Sequence, residues 1–294
     1  MLNRIVIMGT GLIGASFALA LKNAHSVKTV VGVDCDLDSL NLAKSFGSID
    51  IAGGIADVKG ADLVLLAIPV RQMGLIMAEI LPYLDDHTLV MDVGSTKQDV
   101  IAAGRQNLAH RFGQFVPCHP IAGREQHGPL AADATLFIGK KVVMTPLAEN
   151  SAAVRDQAAD IWKLVGAVVV DMAAETHDAV FAAVSHLPHM LAFVLVEELA
   201  SRPNARILFE HAASGFRDFT RIASSSPEMW RDIALNNRTA LLAELDAYMA
   251  KTTRLRDFLA DANEAELMGL MQRAQHARGQ WLSGQSNQFH DDSA

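Results

Sequence analysis

A glycine-rich turn near the start of the chain has the residue types and spacing of a dinucleotide site. The apolar run 5–8 leads into Gly9, Gly11 and Gly14, which form a GxGxxG pattern. The first glycine permits a tight bend, the second lets the backbone approach a pyrophosphate, and the third allows a helix to pack closely on the strand. The free N–H groups of a helix beginning near Leu12 would then face the phosphates.

An acidic residue stands where a ribose-binding carboxylate is expected. Asp34 follows the apolar run 30–33, twenty residues after Gly14. Its carboxylate can accept hydrogen bonds from both ribose hydroxyls and would repel a 2′-phosphate, so the pattern favours NAD over NADP. An ordinary turn between a strand and a helix would not predict this acid.

Two further segments follow predicted strands, which is where doubly wound sheets bind ligands. Ile68 and Pro69 end one run, and Pro69 either stiffens the chain where a nicotinamide ring lies or simply ends a strand. Ser95 follows another run, and its spacing from Gln98 is that of a helix capping box. A capping hydroxyl at this edge can also face a cofactor or a substrate hydroxyl.

A histidine follows the predicted strand over 114–117. The imidazole of His119, with an ordinary pKa of about 6.5, can accept a proton from a substrate alcohol while hydride leaves the same carbon. The alternative is a loop histidine with no catalytic role. The adjacent Cys118 suggests a thiol–imidazole pair, but neighbours along an extended segment point to opposite faces, so we discount that chemistry.

Polar clusters also occur in the second half of the chain. His186 and His189 are three residues apart, but no third ligand at recognisable spacing supports a metal site, so we expect a substrate-facing or a buried histidine. Arg217 and Arg221 flank Asp218 at helical spacing. At least one guanidinium could bind a substrate carboxylate, although such charges usually form surface ion pairs.

Composition limits the class of function. The 294 residues carry a formal charge of −8 and are 50% hydrophobic, and we find no basic cluster with interleaved aromatics, which argues against a nucleic-acid partner and for a small molecule. Two cysteines without a CxxC pattern suit a reducing cytoplasm. We see no leader peptide and no run of about 18 apolar residues, so we expect no membrane segment.

The elements that must position these side chains are predicted to be strands alternating with helices up to about Asp171, and helices alone after it. Short apolar runs without strict alternation predict strands covered on both faces of a mostly parallel sheet. The runs are Arg4–Met8, Thr29–Val33, Leu63–Ile68, Leu89–Val93, Gln114–Pro117, Lys141–Thr145 and Ala167–Asp171. We therefore expect an α/β Rossmann-like domain over 1–172, an all-α domain over 173–285 and a loose tail over 286–294.

An apolar seam runs along one predicted helix of the second domain. Its members recur at spacings of four and three, and they are Leu241, Leu245, Tyr248, Thr252, Leu255 and Leu259. Such a seam requires a partner helix. The partner lies either in the same subunit or, in a homodimer, in a second copy of the chain.

Four motifs in this order resemble the prephenate/arogenate dehydrogenase family of tyrosine biosynthesis, over nearly the whole chain. They are Asp-Val-Gly-Ser-Thr-Lys from position 92, His-Pro-Ile-Ala-Gly from 119, Ser-His-Leu-Pro-His from 185, and Gly-Phe-Arg-Asp-Phe-Thr-Arg-Ile-Ala from 215. The resemblance implies a Rossmann-like domain, a helical dimerisation domain, and NAD-dependent oxidative decarboxylation of prephenate or arogenate.

The resemblance also implies roles for single residues. It makes His119 the proton acceptor, and Ser95 a hydrogen-bond partner of the substrate hydroxyl and a seat for the nicotinamide. The expected substrate-binding residues are Arg221, His189, Arg124, Glu125, Asp218 and Trp230, and Trp230 acts in its own subunit or across the dimer. The expected cofactor-binding residues are Gly9, Thr10, Gly11, Leu12, Ile13, Gly14, Asp34, Ile68, Pro69 and Ser95.

The cation at Arg124 bears on substrate choice. Near the substrate side chain it would suit the keto acid of prephenate and disfavour the ammonium group of arogenate, whereas pairing with neighbouring acids would remove that argument. The choice of substrate therefore stays open, with a lean to prephenate.

Two other functions fit parts of the pattern. A dehydrogenase of small hydroxy acids shares the domain plan but usually relies on a lysine in the helical domain, and 174–200 contains none. A catalytically silent NAD-sensing dimer module would bind NAD without turnover. The joint presence of Ser95, His119 and Arg221 disfavours it.

Overall fold

The computed structural model describes residues 1–124, 126 and 128–284. Within these residues the chain forms strands β1 (Leu2–Met8), β2 (Val27–Val33), β3 (Ile51–Ala52), β4 (Leu63–Leu66), β5 (Leu89–Asp92), β6 (Phe115–Val116), β7 (Cys118–Pro120), β8 (Lys141–Met144) and β9 (Val168–Asp171).

Helices fill the connections and make up the described chain after β9. They are α1 (Leu12–Asn23), α2 (Leu37–Ser45), α3 (Val70–Ile80), α4 (Gln98–Asn107), α5 (Ala152–Leu164), α6 (Ala174–Phe181), α7 (Leu187–Ala200), α8 (Ala205–Glu210), α9 (Ser214–Thr220), α10 (Pro227–Asn236), α11 (Arg238–Ala260) and α12 (Glu264–Leu282). Short 3₁₀ segments cover Ile55–Val58, Leu81–Tyr83, Ala109–Gln114, Pro129–Ala131 and Arg221–Ser224, and Ala182–His186 is a π-helical segment.

The main sheet is parallel and is covered on both faces. Its strand order is β3-β2-β1-β4-β5-β6, so the chain starts in the middle and winds outward in both directions. Successive residues of β1 enter opposite cores: Ile5 and Ile7 pack in one, and Val6 and Met8 in the other. Burial on both faces explains why the strands are continuous apolar runs. The predicted Rossmann-like fold followed by helices is confirmed.

A second sheet of three strands carries His119. Strand β7 pairs antiparallel with β8, and β8 pairs parallel with β9. His119 lies in β7 itself, opposite Val143, and not in a loop. Every predicted strand is present, but the sequence pattern missed β3 and β7. These strands span two and three residues, too few to show a periodicity.

The continuous helical stretch 174–200 is long and apolar enough to cross a membrane by length and composition alone. The mean hydropathy of its most apolar 18-residue window is 1.9. Every such window contains Ser185, His186 and His189, so an uninterrupted apolar run is absent there, as we expected. One such helix is weak support for a membrane span, because core helices of other proteins meet the same criterion.

By the density of its contacts, the chain divides into two compact units. The first runs from Met1 to Leu241, and the second begins at Leu242. All the candidate site residues that the structure describes belong to the first unit. The domain limits at 172 and 285 stay a prediction, and the predicted tail lies outside the described residues.

Candidate active site

The glycine turn (Gly9–Gly14) has the geometry that its three glycines predict. Gly9 has a φ of +94°, and a Cβ there would lie 2.3 Å from the carbonyl oxygen of Ala67. A Cβ on Gly14 would lie 2.1 Å from the carbonyl oxygen of Gly9. A Cβ on Gly11, by contrast, would meet nothing within 4 Å. The outer glycines are thus required by packing, and Gly11 leaves open space for a ligand.

The start of α1 and the end of β2 complete a cradle for a dinucleotide. Helix α1 begins at Leu12, beside half-buried Ile13, and no described side chain caps it, so its first N–H groups can bind an anion. Asp34 Oδ2 accepts hydrogen bonds from Thr10 N at 2.7 Å and Thr10 Oγ1 at 3.0 Å. Its Oδ1 accepts one from Asp36 N at 3.0 Å. These residues fit a dinucleotide whose ribose carries free hydroxyls.

The neighbouring strand ends lie at the same edge of the sheet. Leu66 is in register with Met8 on one side and with Asp92 on the other. Ile68 contacts the glycine turn, since its Cγ2 would lie 3.0 Å from a Cβ on Gly9. Pro69 is exposed and directly precedes the first residue of α3. It therefore lies at the end of the segment that joins β4 to α3.

The predicted capping box at Ser95 is wrong. Helix α4 begins at Gln98, and its N-terminus is capped by a carboxylate from α6: Asp178 Oδ1 accepts from Lys97 N and Oδ2 accepts from Gln98 N, both at 2.9 Å. Because Asp178 satisfies these donors, Ser95 is not needed as a cap. Its half-buried hydroxyl makes no hydrogen bond within the described part of the chain and can therefore face a ligand.

A buried ion pair joins the end of β5 to the start of β7. Lys97 is fully buried and pairs with Asp92 through its Nζ, which also donates to the carbonyl oxygen of Cys118 at 2.6 Å. Asp92 Oδ1 in turn accepts from Cys118 N at 3.0 Å. These bonds hold the residue before His119 against the end of β5 in the main sheet.

A hydrogen-bonded chain leads from His119 to α6. His119 Nδ1 lies 2.9 Å from His177 Nε2, and His177 Nδ1 lies 2.8 Å from Asp178 Oδ1. The edge of Phe181 packs against the His119 ring, with 4.8 Å between the centroids. The imidazole of His119 is therefore fixed on one side by hydrogen bonds and on another by an aromatic contact.

The surroundings of these groups favour a neutral His119 and an ionised Asp178. Burial, and then the charges of His177, Lys97 and His186, hold the pKa of His119 well below 6.5. The pKa of His177 is also lowered, chiefly by burial. Burial raises the pKa of Asp178, but the hydrogen bonds it accepts from His177 and the α4 backbone outweigh this and lower it overall.

His186 and His189 lie against Trp230. His189 stacks on its indole with 3.6 Å between centroids, and His189 Nδ1 lies 2.8 Å from the carbonyl oxygen of Ser185. That carbonyl can only accept, so neutral His189 presents a free Nε2. His186 packs edge-on against Trp230, and burial lowers its pKa to about 4. Within the chain, Trp230 thus belongs to the same cluster as His189.

The structure describes Arg221 and Asp218 of the predicted arginine site, but not Glu125. Arg221 is exposed, at the start of the 3₁₀ segment after α9, and its charge helps to lower the pKa of His189, after the effect of burial. Asp218 is exposed, 3.9 Å from Arg217. Glu125 lies outside the described residues.

Arg124 pairs with an acid. Its guanidinium forms an ion pair with Asp133, whose backbone N–H bonds to the hydroxyl of Ser16. The argument for prephenate over arogenate assumed a cation without an acidic neighbour, so that argument no longer holds.

The two thiols differ in exposure and neither sits in a metal site. Cys118 is fully buried, and burial, then Asp92, raises the pKa of its thiol to about 12, so it carries no thiolate. Cys35 is exposed. Among the described residues, no group of three or more His, Cys, Asp or Glu side chains could hold a metal ion.

Sequence reasoning missed the residues that hold His119. His177 and Asp178 stand next to each other in a mainly apolar helix, and Lys97 was treated only as part of a motif. Buried charges are rare without partners, so an Asp in an apolar helix is a usable signal. Its partners at the start of α4, however, lie about 80 residues away in the chain.

Two family models match the chain in succession. Residues 17–171 match the prephenate dehydrogenase nucleotide-binding domain, and residues 173–273 match the prephenate dehydrogenase dimerization domain. The first match begins just after the glycine turn.

Relatives cover almost the whole length. A cyclohexadienyl dehydrogenase of Zymomonas mobilis is 37% identical over 93% of this chain and 94% of its own. A prephenate dehydrogenase of Bacillus subtilis is 37% identical over 95% of this chain and 76% of its own. The crystal structure of prephenate dehydrogenase from A. aeolicus, in complex with hydroxyphenyl propionate and NAD+, is 34% identical, covers 95% and 98% of the two chains, and superposes with a TM-score of 0.89. With both family models matched and a relative 37% identical over 93% of its length, the chain belongs to the prephenate dehydrogenase family.

Proposed function

We propose that the chain catalyses the NAD-dependent oxidative decarboxylation of prephenate to 4-hydroxyphenylpyruvate, of arogenate to tyrosine, or of both. The observation that carries the proposal is the anchoring of His119, through Cys118, to Asp92 at the strand edge that also carries the glycine turn. A neutral base beside a hydride acceptor is what the oxidation of a ring alcohol requires. Membership in the family supplies the reaction.

The reaction balances without any further reactant. NAD, when bound, accepts the hydride from the carbon that bears the ring hydroxyl. His119 accepts the hydroxyl proton, so that this carbon becomes a carbonyl carbon. The ring carboxylate leaves as carbon dioxide, its C–C electron pair moves through the ring to the carbonyl oxygen, and that oxygen takes the proton back from His119 to give the phenol.

Other side chains bind and orient the substrate in this proposal. The Ser95 hydroxyl bonds to the substrate hydroxyl and the nicotinamide, and Arg221 binds a substrate carboxylate. His189 contacts the substrate through its free Nε2 while Trp230 supports its ring. Glu125 and Asp218 act as an ionic gate near Arg221. Arg124, held by its ion pair with Asp133, contacts the substrate only at the periphery of the site.

The carboxylate of Asp34 selects NAD. Three hydrogen bonds from Thr10 and Asp36 fix its two oxygens, so it is ready to accept from ribose hydroxyls. A 2′-phosphate would meet this negative charge directly.

The enzyme works as a cytoplasmic homodimer in this proposal. Part of the seam on α11 is exposed in the single chain: Leu241 is buried, but Tyr248 is 41% and Leu259 is 61% exposed. Exposed apolar side chains that line one face of a helix suit a protein interface, and the match to a dimerization domain supports a second copy of the chain as the partner. NAD-linked biosynthesis and unpaired cysteines suit the cytoplasm.

One steady-state experiment tests the reaction, the substrate and the cofactor together. NADH or NADPH formation is followed with prephenate and with arogenate, each with NAD and with NADP. We expect turnover with NAD and at least one substrate, and much less with NADP. The matched control, His119→Asn, should lower turnover by about 10²–10⁴-fold while NAD still binds. No turnover of either substrate by the folded wild-type enzyme would contradict the proposed function, and equal turnover by H119N would contradict the role of His119.

A further inference from the structure

A hydrogen-bonded chain that no motif describes controls which nitrogen of His119 faces the substrate. We propose that Asp178 and His177 are positioning residues that hold His119 in the tautomer protonated at Nδ1, so that its bare Nε2 faces the substrate hydroxyl. This inference rests on the proposed function for its catalytic consequence, but the tautomer itself follows from the geometry.

The argument starts at Asp178, which is almost fully buried and surrounded by donors. Its Oδ1 accepts from Lys97 N at 2.9 Å, and its Oδ2 accepts from Gln98 N at 2.9 Å and from Gln98 Nε2 at 3.2 Å. A carboxylate that accepts several N–H bonds stays ionised. It can therefore only accept from His177 Nδ1, 2.8 Å away.

The hydrogen bond from His177 to Asp178 then fixes which nitrogen of each imidazole ring carries the proton. His177 is fully buried, and burial together with the Lys97 charge keeps it neutral, so protonation at Nδ1 leaves its Nε2 bare. The bare Nε2 accepts from His119 Nδ1 across 2.9 Å. Neutral His119 carries one proton, which this bond places on Nδ1, and the Nε2 lone pair is left on the opposite side of the ring.

The charged and titratable groups around the pair agree with this arrangement. Lys97, from the segment before α4, lowers the pKa of both His119 and His177, and His186, from the π-helical segment, lowers that of His119. Asp178 from α6 and Asp92 from β5 act in the opposite direction on His177. Burial is the largest effect on both rings, so both are neutral near pH 7.

Asp178 also couples two parts of the site. The same carboxylate that orients His177 caps the first turn of α4, directly after Ser95. One side chain of α6 thus fixes both the loop on the cofactor side and, through His177, the base on the substrate side. A change at Asp178 must disturb both.

A spectroscopic test reads the tautomer without any turnover. In the ¹⁵N spectrum of the full-length enzyme labelled at histidine, we expect His119 to show a protonated Nδ1 and an unprotonated Nε2 at pH 7. A wild-type His119 protonated at Nε2 would overturn the proposal.

A matched pair of variants tests the catalytic consequence. Glutamine at position 177 can accept from His119 and donate to Asp178, whereas methionine has similar length and can do neither. We expect His177→Met to lower kcat on the order of 10²-fold across the pH plateau, His177→Gln to restore most of it, and KM for NAD to stay the same in both. Equal loss in the two variants would overturn the proposal. If the wild-type enzyme turns over neither substrate, the reaction assignment fails, and the spectrum still decides the tautomer.

Discussion

At the scale of single residues, the environment of His119 makes a base that works at lower pH than an ordinary histidine. The ring is held by a hydrogen bond to His177 and an edge contact from Phe181, and its pKa lies well below 6.5 because desolvation, and then the charges of His177 and Lys97, disfavour the protonated ring. A general base is active only when it is unprotonated. The lowered pKa therefore widens the working range toward acid.

The pH dependence of kcat/KM checks this effect. Because the folded pKa of His119 is below 6.5, kcat/KM for the substrate should stay level from pH 8 down to about 6.5 and fall only as the pH drops through the lower, folded value. Residual activity of His119→Asn should lack this limb. An acidic limb centred at or above pH 6.5 would show that His119 is not the group that titrates.

At the scale of elements, the three glycines of the turn have different roles: Gly9 and Gly14 are required by packing, and Gly11 leaves space for the cofactor. Gly14 is needed because α1 crosses the turn too closely for a Cβ, whereas Gly11 faces open space. The two positions therefore predict opposite outcomes for the same substitution.

Alanine at each glycine tests this difference. Gly14→Ala should lower the free energy of unfolding by about 1–3 kcal/mol, because the new Cβ would overlap a backbone oxygen. Gly11→Ala should leave the melting temperature unchanged but raise the Kd for NAD about tenfold, which corresponds to about 1.4 kcal/mol. Thermal unfolding and titration with NAD separate the two, and a Gly11→Ala protein that binds NAD normally would place the pyrophosphate elsewhere.

The elements also show which parts of the structure could be predicted from the sequence. Runs such as Leu63–Ile68 and Leu89–Val93 predicted β4 and β5, because strands buried on both faces are uniformly apolar. Strand β7 was missed because its three residues, Cys118–Pro120, are too few to show a periodic pattern. Ser95 and Gln98 have the spacing of a capping box, yet Asp178 caps α4 from about 80 residues away. Local patterns could not predict that contact, and they could not predict the chain through His177 for the same reason.

At the scale of the whole molecule, the exposed part of the α11 seam predicts an association between copies. Tyr248 and Leu259 stand on one face of the helix, and Ala250 lies on the opposite face and is also exposed. Charges introduced on the seam would be buried without partners in a dimer, whereas a charge at Ala250 would stay in water.

Sedimentation velocity checks the association at micromolar concentration. The wild-type chain and Ala250→Glu should sediment as dimers, and the double variant Y248E/L259E should sediment as a monomer with an unchanged circular dichroism spectrum. A double variant that remains dimeric would show that another surface joins the copies.

The contrast between the two thiols gives the whole molecule a practical property. The chain has two cysteines, of which Cys118 is sealed beside the Lys97–Asp92 pair and Cys35 is exposed directly after Asp34. A thiol-reactive dye added to the unmodified protein will therefore attach to one place, next to the carboxylate assigned to the adenosine ribose. The wild-type enzyme thus provides its own fluorescent reporter of cofactor occupancy, with no engineered residue.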